Sequence, residues 1–153
     1  MSSAAAGGAL FAPGRTLVAS LDMGSDLLEE IERLARENDL ALCGVMGIGS
    51  LVASNVTYYD QAVQTDRELV FERPMMLLGL SGTVLRADDG IQTHCHVVLG
   101  DALGTAYGGD LSPGCVVFSC ELTLMELVGP TTARVPDKAT GLSHFVFGEV
   151  DGG

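Results

Sequence analysis

Residues 25–46 read SDLLEEIERLARENDLALCGVM, and their apolar period changes midway in a way that decides the fold class. In the first half Leu27, Leu28, Ile31, Leu34 and Ala35 recur at helical spacing and form one apolar stripe. Ser25 or Asp26 can cap the start, Glu29 and Glu30 favour the positive N-terminal end, and Asn38 offers a left-handed stop. Glu29/Arg33 and Glu32/Arg36 stand four apart on the opposite face. From Leu40 to Met46 the apolar residues run on without a helical gap, as in a buried strand, and Gly47-Ile48-Gly49-Ser50 then reads as a tight turn.

Strand signals dominate on either side. Arg15 to Leu21 is β-rich and ends at the turn signal Asp22-Met23-Gly24. Val52 to Tyr59 alternates, and Asp60 to Asp66 is a polar loop. Strands are also expected over Glu68–Phe71, Met75–Leu85, Thr93–Leu99, Val116–Leu127 and His144–Val150, with Asp88-Asp89-Gly90 as a turn and Gly129–Thr140 as a loop. The expectation is an α+β domain, a mostly antiparallel sheet with one or two helices packed on it. It should occupy residues 14–150 behind a flexible tail over 1–13.

Composition narrows the function classes. The 153 residues are 47% hydrophobic and 18% charged, with a net charge of −12. The eight basic residues are scattered, close only at Arg33/Arg36 and Arg67/Arg73, so no cluster is ready to neutralise phosphates of DNA or RNA. The same charge opposes anionic membrane surfaces, and no apolar run reaches the roughly 18 residues of a membrane span. Met1–Pro13 lacks the basic start and apolar stretch of a signal peptide. Cys43, Cys95, Cys115 and Cys120 lie in apolar segments without a C-x-x-C pair, which reads as reduced thiols in a cytoplasmic protein. A chain this apolar, with so few charged residues, hints at surface buried between subunits.

Chemistry concentrates on one strand. His94 and His96 are two apart, so both imidazoles leave the same face while Cys95 points the other way. Such a pair can hold a transition metal, act as acid and base, or simply be hydrogen-bonded. Asp110, after Gly108-Gly109 in an expected turn, Asp101 and Glu121 are the carboxylates that could join them. Two histidines and a carboxylate make the ligand set of open zinc sites and of non-haem iron sites. An unpaired Glu121 within Val116–Leu122 would be costly to bury, unless it faces outward. Gly47-x-Gly49-Ser50 lacks the lysine of a phosphate loop, His144 has no sequence neighbour to work with, and Tyr58, Tyr59 and Tyr107 can line a pocket or simply pack. No Gly-x-Ser-x-Gly elbow is present.

Taken together, Gly24-Ser25-Asp26-Leu27-Leu28, Gly47-Ile48-Gly49-Ser50-Leu51, Leu80-Ser81-Gly82-Thr83, His94-Cys95-His96-Val97, Tyr107-Gly108-Gly109-Asp110-Leu111, Pro113-Gly114 and Glu121 resemble the plants-and-prokaryotes-conserved (PPC) domain, in its stand-alone prokaryotic type. The resemblance runs from about Arg15 to Leu127. It implies an antiparallel sheet, a homotrimer with sites near subunit interfaces, and zinc held by the two strand histidines and a third histidine after Gly-Gly. Here Asp110 stands in that third place, so the implied set is His94, His96 and Asp110, with Glu121 nearby. The Arg-Gly-Arg-Pro hook that contacts DNA in the plant proteins does not occur in this sequence. Because a carboxylate in place of a neutral ligand alters a pocket's acid/base chemistry more than its packing, Asp110 points to a small-molecule enzyme as the expected function, by hydrolysis, elimination or ring closure. The alternative is a non-catalytic module that binds a metal or effector. A weaker resemblance, from His94-x-His96, Asp101 and Gly108, is to the cupin metal enzymes.

Overall fold

The computed structural model describes residues 7–148; parts of the tail expected over 1–13 and of the domain end expected near 150 lie outside the described residues. The chain runs β1 (Ala12–Leu21), α1 (Leu27–Glu37), β2 (Leu42–Asp60), β3 (Thr65–Phe71), β4 (Met75–Ala87), β5 (Gly90–Gly100), β6 (Ala106–Leu111), β7 (Val116–Val128), β8 (Thr132–Pro136) and β9 (Ser143–Phe147). One helix and an antiparallel sheet match the α+β expectation. No helix among the described residues is long and apolar enough to cross a membrane.

The helix forms where its stripe predicts. Asp26 caps it by accepting from the Glu29 backbone N–H, and Leu27, Ile31, Leu34 and Ala35 are buried. Each such leucine or isoleucine contributes roughly 1.5–3 kcal/mol by leaving water. Two details differ from expectation. Asp39 (φ 55°), not Asn38 (φ −97°), takes the left-handed conformation. Arg33 bonds Glu30 and Glu37 rather than Glu29, while Glu32 accepts from Thr93.

Strand β2 organises the sheet, whose order is β1-β7-β2-β4-β5-β6 with β3 also on β2. Its first half lies between β7 and β4, and its second half pairs with β3 and, at Val56 and Thr57, with β6. Because β6 also pairs with β5, the strands β2, β4, β5 and β6 close into a ring. The expected turn at Gly47–Ser50 is thus not a turn: β2 continues through it, with an irregularity in its pairing to β4 between Gly47 and Gly49. The glycines serve close approach, since a Cβ on Gly49 would stand 2.2 Å from the Ser119 carbonyl oxygen and one on Gly47 2.6 Å from Leu122.

One face of the sheet meets α1 and carries the core, including Val45, Leu77, Leu80, Val97, Leu99, Leu122 and Leu124. The four cysteines are free and buried. The opposite face is open and apolar, exposing Met46, Ile48, Met76, Leu78, Val98 and Phe118. The segment expected as a loop over 129–140 instead contributes β8, which pairs with β9 in a hairpin packed on β4.

Candidate functional site

Strand alternation on β5 puts Cys95 and Val97 into the core and His94, His96 and Val98 on the open face. Asp110 is not in a turn. It lies on β6, directly opposite His96 on one side and Thr57 of β2 on the other. Cross-strand partners share a face with Cβ atoms about 5 Å apart, so the carboxylate is delivered to the imidazoles by register alone. Gly109 makes this possible. A Cβ there would stand 2.6 Å from the Thr57 carbonyl oxygen and block the approach of β6 to β2.

The three side chains converge. Asp110 Oδ1 lies 2.8 Å from His96 Nε2 and 3.4 Å from His94 Nε2, and one donor atom from each residue falls within 4.8 Å of the others. The rings of His94 and His96 meet edge to face at 5.1 Å. Although two ring nitrogens crowd it, Asp110 Oδ1 is buried without a regularly aligned hydrogen bond. A tetrahedral zinc with ligands near 2.1 Å sets its donor atoms roughly 3.4 Å apart; the His94 edge from Asp110 is 3.4 Å, the His96 edge 2.8 Å, and the third edge, between the imidazoles, lies within 4.8 Å. The residues present therefore fit a small divalent ion: two nitrogens, one carboxylate oxygen and an outer side left open, with the imidazoles 55% and 69% exposed.

The cluster lines a hollow of about 670 Å³, within the usual range of roughly 300–1,000 Å³ for small-molecule sites. Thr57, Tyr58 and Tyr59 of β2 and Gln92 and Thr93 of β5 form its walls, and Arg134, Leu142 and Ser143 of the C-terminal hairpin complete it. The hairpin is tied down at both ends. Tyr59 Oη donates to the Thr140 carbonyl at 2.5 Å, Gln64 donates to the Ala139 carbonyl at 3.0 Å, and Arg134 Nη2 donates to Thr83 Oγ1 at 2.9 Å.

The other sequence candidates lie apart. Glu121 shares the open face, but β2 and β4 separate its strand from β5, and it borders a different hollow with Ile48, Ser50 and Leu78. Asp101 accepts from the backbone N–H groups of Leu103 and Thr105, which hold its carboxyl below the usual range with help from Arg73. It caps its own turn, which removes the carboxylate of the cupin-like spacing. Tyr107 packs on Phe71, its ring 5.0 Å away. Burial pushes the Cys95 thiol up to about 12, so behind the histidines it is a protonated core group. Sequence reasoning missed Arg134, because its partner Thr83 is 51 residues away and no local pattern links them.

Comparison with known proteins shows the family and the fold. The model of the Plants and Prokaryotes Conserved (PCC) domain matches residues 9–128. The metal-containing protein of Archaeoglobus fulgidus is 33% identical with a TM-score of 0.82, covering 92% of this chain and 97% of its own. A plant- and prokaryote-conserved protein of Pyrococcus horikoshii is 29% identical with a TM-score of 0.81, covering 93% and 96%. The bifunctional protein GlmU of a Synechococcus strain is 37% identical over 120 residues, 77% of this chain; the match spans only 18% of that relative's length. Structures from Bacteroides thetaiotaomicron and Ralstonia eutropha, whose descriptions suggest DNA binding, share the fold at 15% and 18% identity.

Proposed function

The chain belongs to the Plants and Prokaryotes Conserved (PCC) domain family, and on that premise we propose that it is a small-molecule enzyme working at His94, His96 and Asp110. The observation that carries the reading is the convergence of three donor atoms within 4.8 Å at the floor of a hollow sized for a metabolite. His94, His96 and Asp110 would hold zinc, which when bound would supply Lewis acidity to a substrate oxygen. The residues themselves move the proton. Without zinc on Nε2, His96 would take a proton from the reacting group at its other ring nitrogen, Nδ1, while Nε2 stays 2.8 Å from Asp110 Oδ1 and that carboxylate stabilises the imidazolium. Hydrolysis, elimination and ring closure all need such a transfer. Glu121 stands outside this step.

The open face supports assembly as a homotrimer. Met46, Ile48, Met76, Leu78, Val98 and Phe118 form an apolar surface beside imidazoles that are more than half exposed, and a neighbouring copy would cover both. The exposure of the imidazoles also favours a second reading, a regulatory module that holds an ion or effector without turnover. Direct nucleic-acid binding fits poorly with a net charge of −12, and cytoplasmic residence fits the four free thiols.

Metal analysis and zinc titration of the wild type, His94→Ala and Asp110→Ala test the site. The expected result is one zinc per chain, with affinity lost in both variants and folding retained by circular dichroism. A panel of ester, lactone and hydroxy-acid substrates tests catalysis. Zinc binding without turnover of any member supports the regulatory reading; equal zinc affinity in all three proteins refutes the site.

A further inference from the structure

The hairpin that roofs the hollow begins at Thr132, beyond residue 128 where the family match stops, and it brings one cation to the site. We propose that Arg134 is an anion anchor, so that the molecule bound beside His94 carries a carboxylate or phosphate group held by the Arg134 guanidinium. This inference rests on the reading of the His94/His96/Asp110 hollow as the working site, and names the class of molecule it takes.

Placement comes first. Arg134 Nη2 donates to Thr83 Oγ1 at 2.9 Å, and Thr83 lies directly opposite His94 in the β4–β5 ladder. Residues so paired share a face with Cβ atoms about 5 Å apart, so the guanidinium sits next to the first imidazole of the cluster. Its Cζ lies over the Phe145 ring, 4.1 Å from the centroid, a cation–π contact that helps hold the guanidinium in place. Stacking on an aromatic ring leaves the N–H edges of a guanidinium directed outward in the fork that suits two oxygens of a carboxylate or phosphate.

Charge makes the second argument. In this acidic chain Arg15, Arg33, Arg67, Arg73 and Arg86 each have a carboxylate within ion-pair distance. Arg134 is partly buried, yet among the described residues its contacts are a neutral hydroxyl and a ring, and its Nε has no acceptor. A partly desolvated cation left without a counterion is costly. Burial lowers its pKa from the usual value, which reports the same cost. A bound anion would offset it. The rest of the lining sets the polar groups of Tyr58, Gln92 and Ser143 among Val97, Val98 and Leu142, suited to an uncharged, partly apolar body between the anion and the histidines.

Protein nuclear magnetic resonance tests this with inorganic phosphate and malonate as probes, on protein freed of metal with a chelator. Either anion should shift the Arg134 Nε–H signal saturably, and whichever binds tighter names the group. Arg134→Met should raise the half-saturation concentration at least about tenfold, and Arg134→Lys by a smaller factor, since charge without the fork is retained. Arg36→Met, exposed on the helix, should change nothing. Absence of saturation by both probes overturns the proposal, as does wild-type half-saturation in both Arg134 variants. Should Arg134→Met loosen the hairpin, Arg134→Lys, which keeps the stem, decides. Zinc titration of the same proteins separates the two readings: failure of the wild type to bind zinc refutes the metal site and leaves the anion result standing.

Discussion

Replacing Gly82 by alanine should damage both stability and the metal site, because this glycine lets β4 pass β5 between the two histidines. Gly82 pairs with Cys95, and a Cβ there would lie 2.0 Å from the His94 carbonyl oxygen, 2.6 Å from Cys95 Cα and 2.9 Å from its sulfur. Ordinary contact begins near 3.4 Å, so relief requires β4 and β5 to part by an ångström or more. Two of those contacts are backbone atoms, which cannot rotate away. Overpacking of this kind costs about 1–3 kcal/mol, and weakening a ladder hydrogen bond adds about 1 kcal/mol. For a domain of this size, a loss of about 2–4 kcal/mol lowers the melting temperature by roughly 5–15 °C. The same parting moves His94 and His96 relative to Asp110, so zinc affinity should fall by about tenfold or more. Calorimetry of the metal-free protein and zinc titration measure the two effects. Gly79→Ala, on the same strand with nothing within 4 Å of the added carbon, is the control and should melt with the wild type. If Gly82→Ala also melts with the wild type, the close crossing of β4 and β5 is not real and the reasoning fails.

Other predictions follow the same residues. Asp110→Ala should cost more than about 100-fold in zinc affinity, beyond the loss typical of an outer-shell partner, while leaving the metal-free melting temperature nearly unchanged, since the carboxylate lacks a regular hydrogen bond to lose. Arg15 holds the Glu126 carboxyl down to about 2 from its ordinary 4.5, so the stability it confers is complete above pH 4.5 and lost as pH falls toward 2. In Glu126→Gln the fall in urea midpoint across that window should be shallower, though not abolished, because Asp101 and Asp137 are lowered too. An unchanged slope would show that the Arg15 pair contributes nothing. Val98→Asp, on the exposed apolar face, should shift light scattering from trimer to monomer without unfolding the chain; a wild-type protein that is already monomeric would refute the assembly.

Much of this fold is written locally. The helix and its buried stripe follow from spacing alone, and so does the shared face of His94 and His96; the choice of Asp26 over Ser25 as the cap needed the structure. The glycines misled because local sequence cannot distinguish a bend from a close approach. Gly47, Gly49 and Gly109 look like turn residues, yet each lies within a strand where another backbone or side chain leaves no room for a Cβ. The first strand of the hairpin, Thr132–Pro136, was obscured by Pro130, Pro136 and Asp137, which read as loop signals, whereas the second lies within the expected strand His144–Val150 but for Ser143. Glu121 shows the converse: it is on the correct face, but strand order keeps it from β5. Arg134 reaches the site through contacts that exist only once the sheet is assembled.

The pleat of β5 also acts as a chemical sieve. Between two imidazoles it carries a sulfur, Cys95, and turns it into the core, where the side chain is only 2% exposed. A donor that would favour soft, thiophilic ions such as cuprous copper is held one residue from the site and on the wrong side of the sheet. What faces outward is nitrogen and oxygen, a borderline-to-hard set that suits zinc or ferrous iron. If the site holds a metal, its choice among ions would need no dedicated residue; it would come from the two-residue repeat of an ordinary strand.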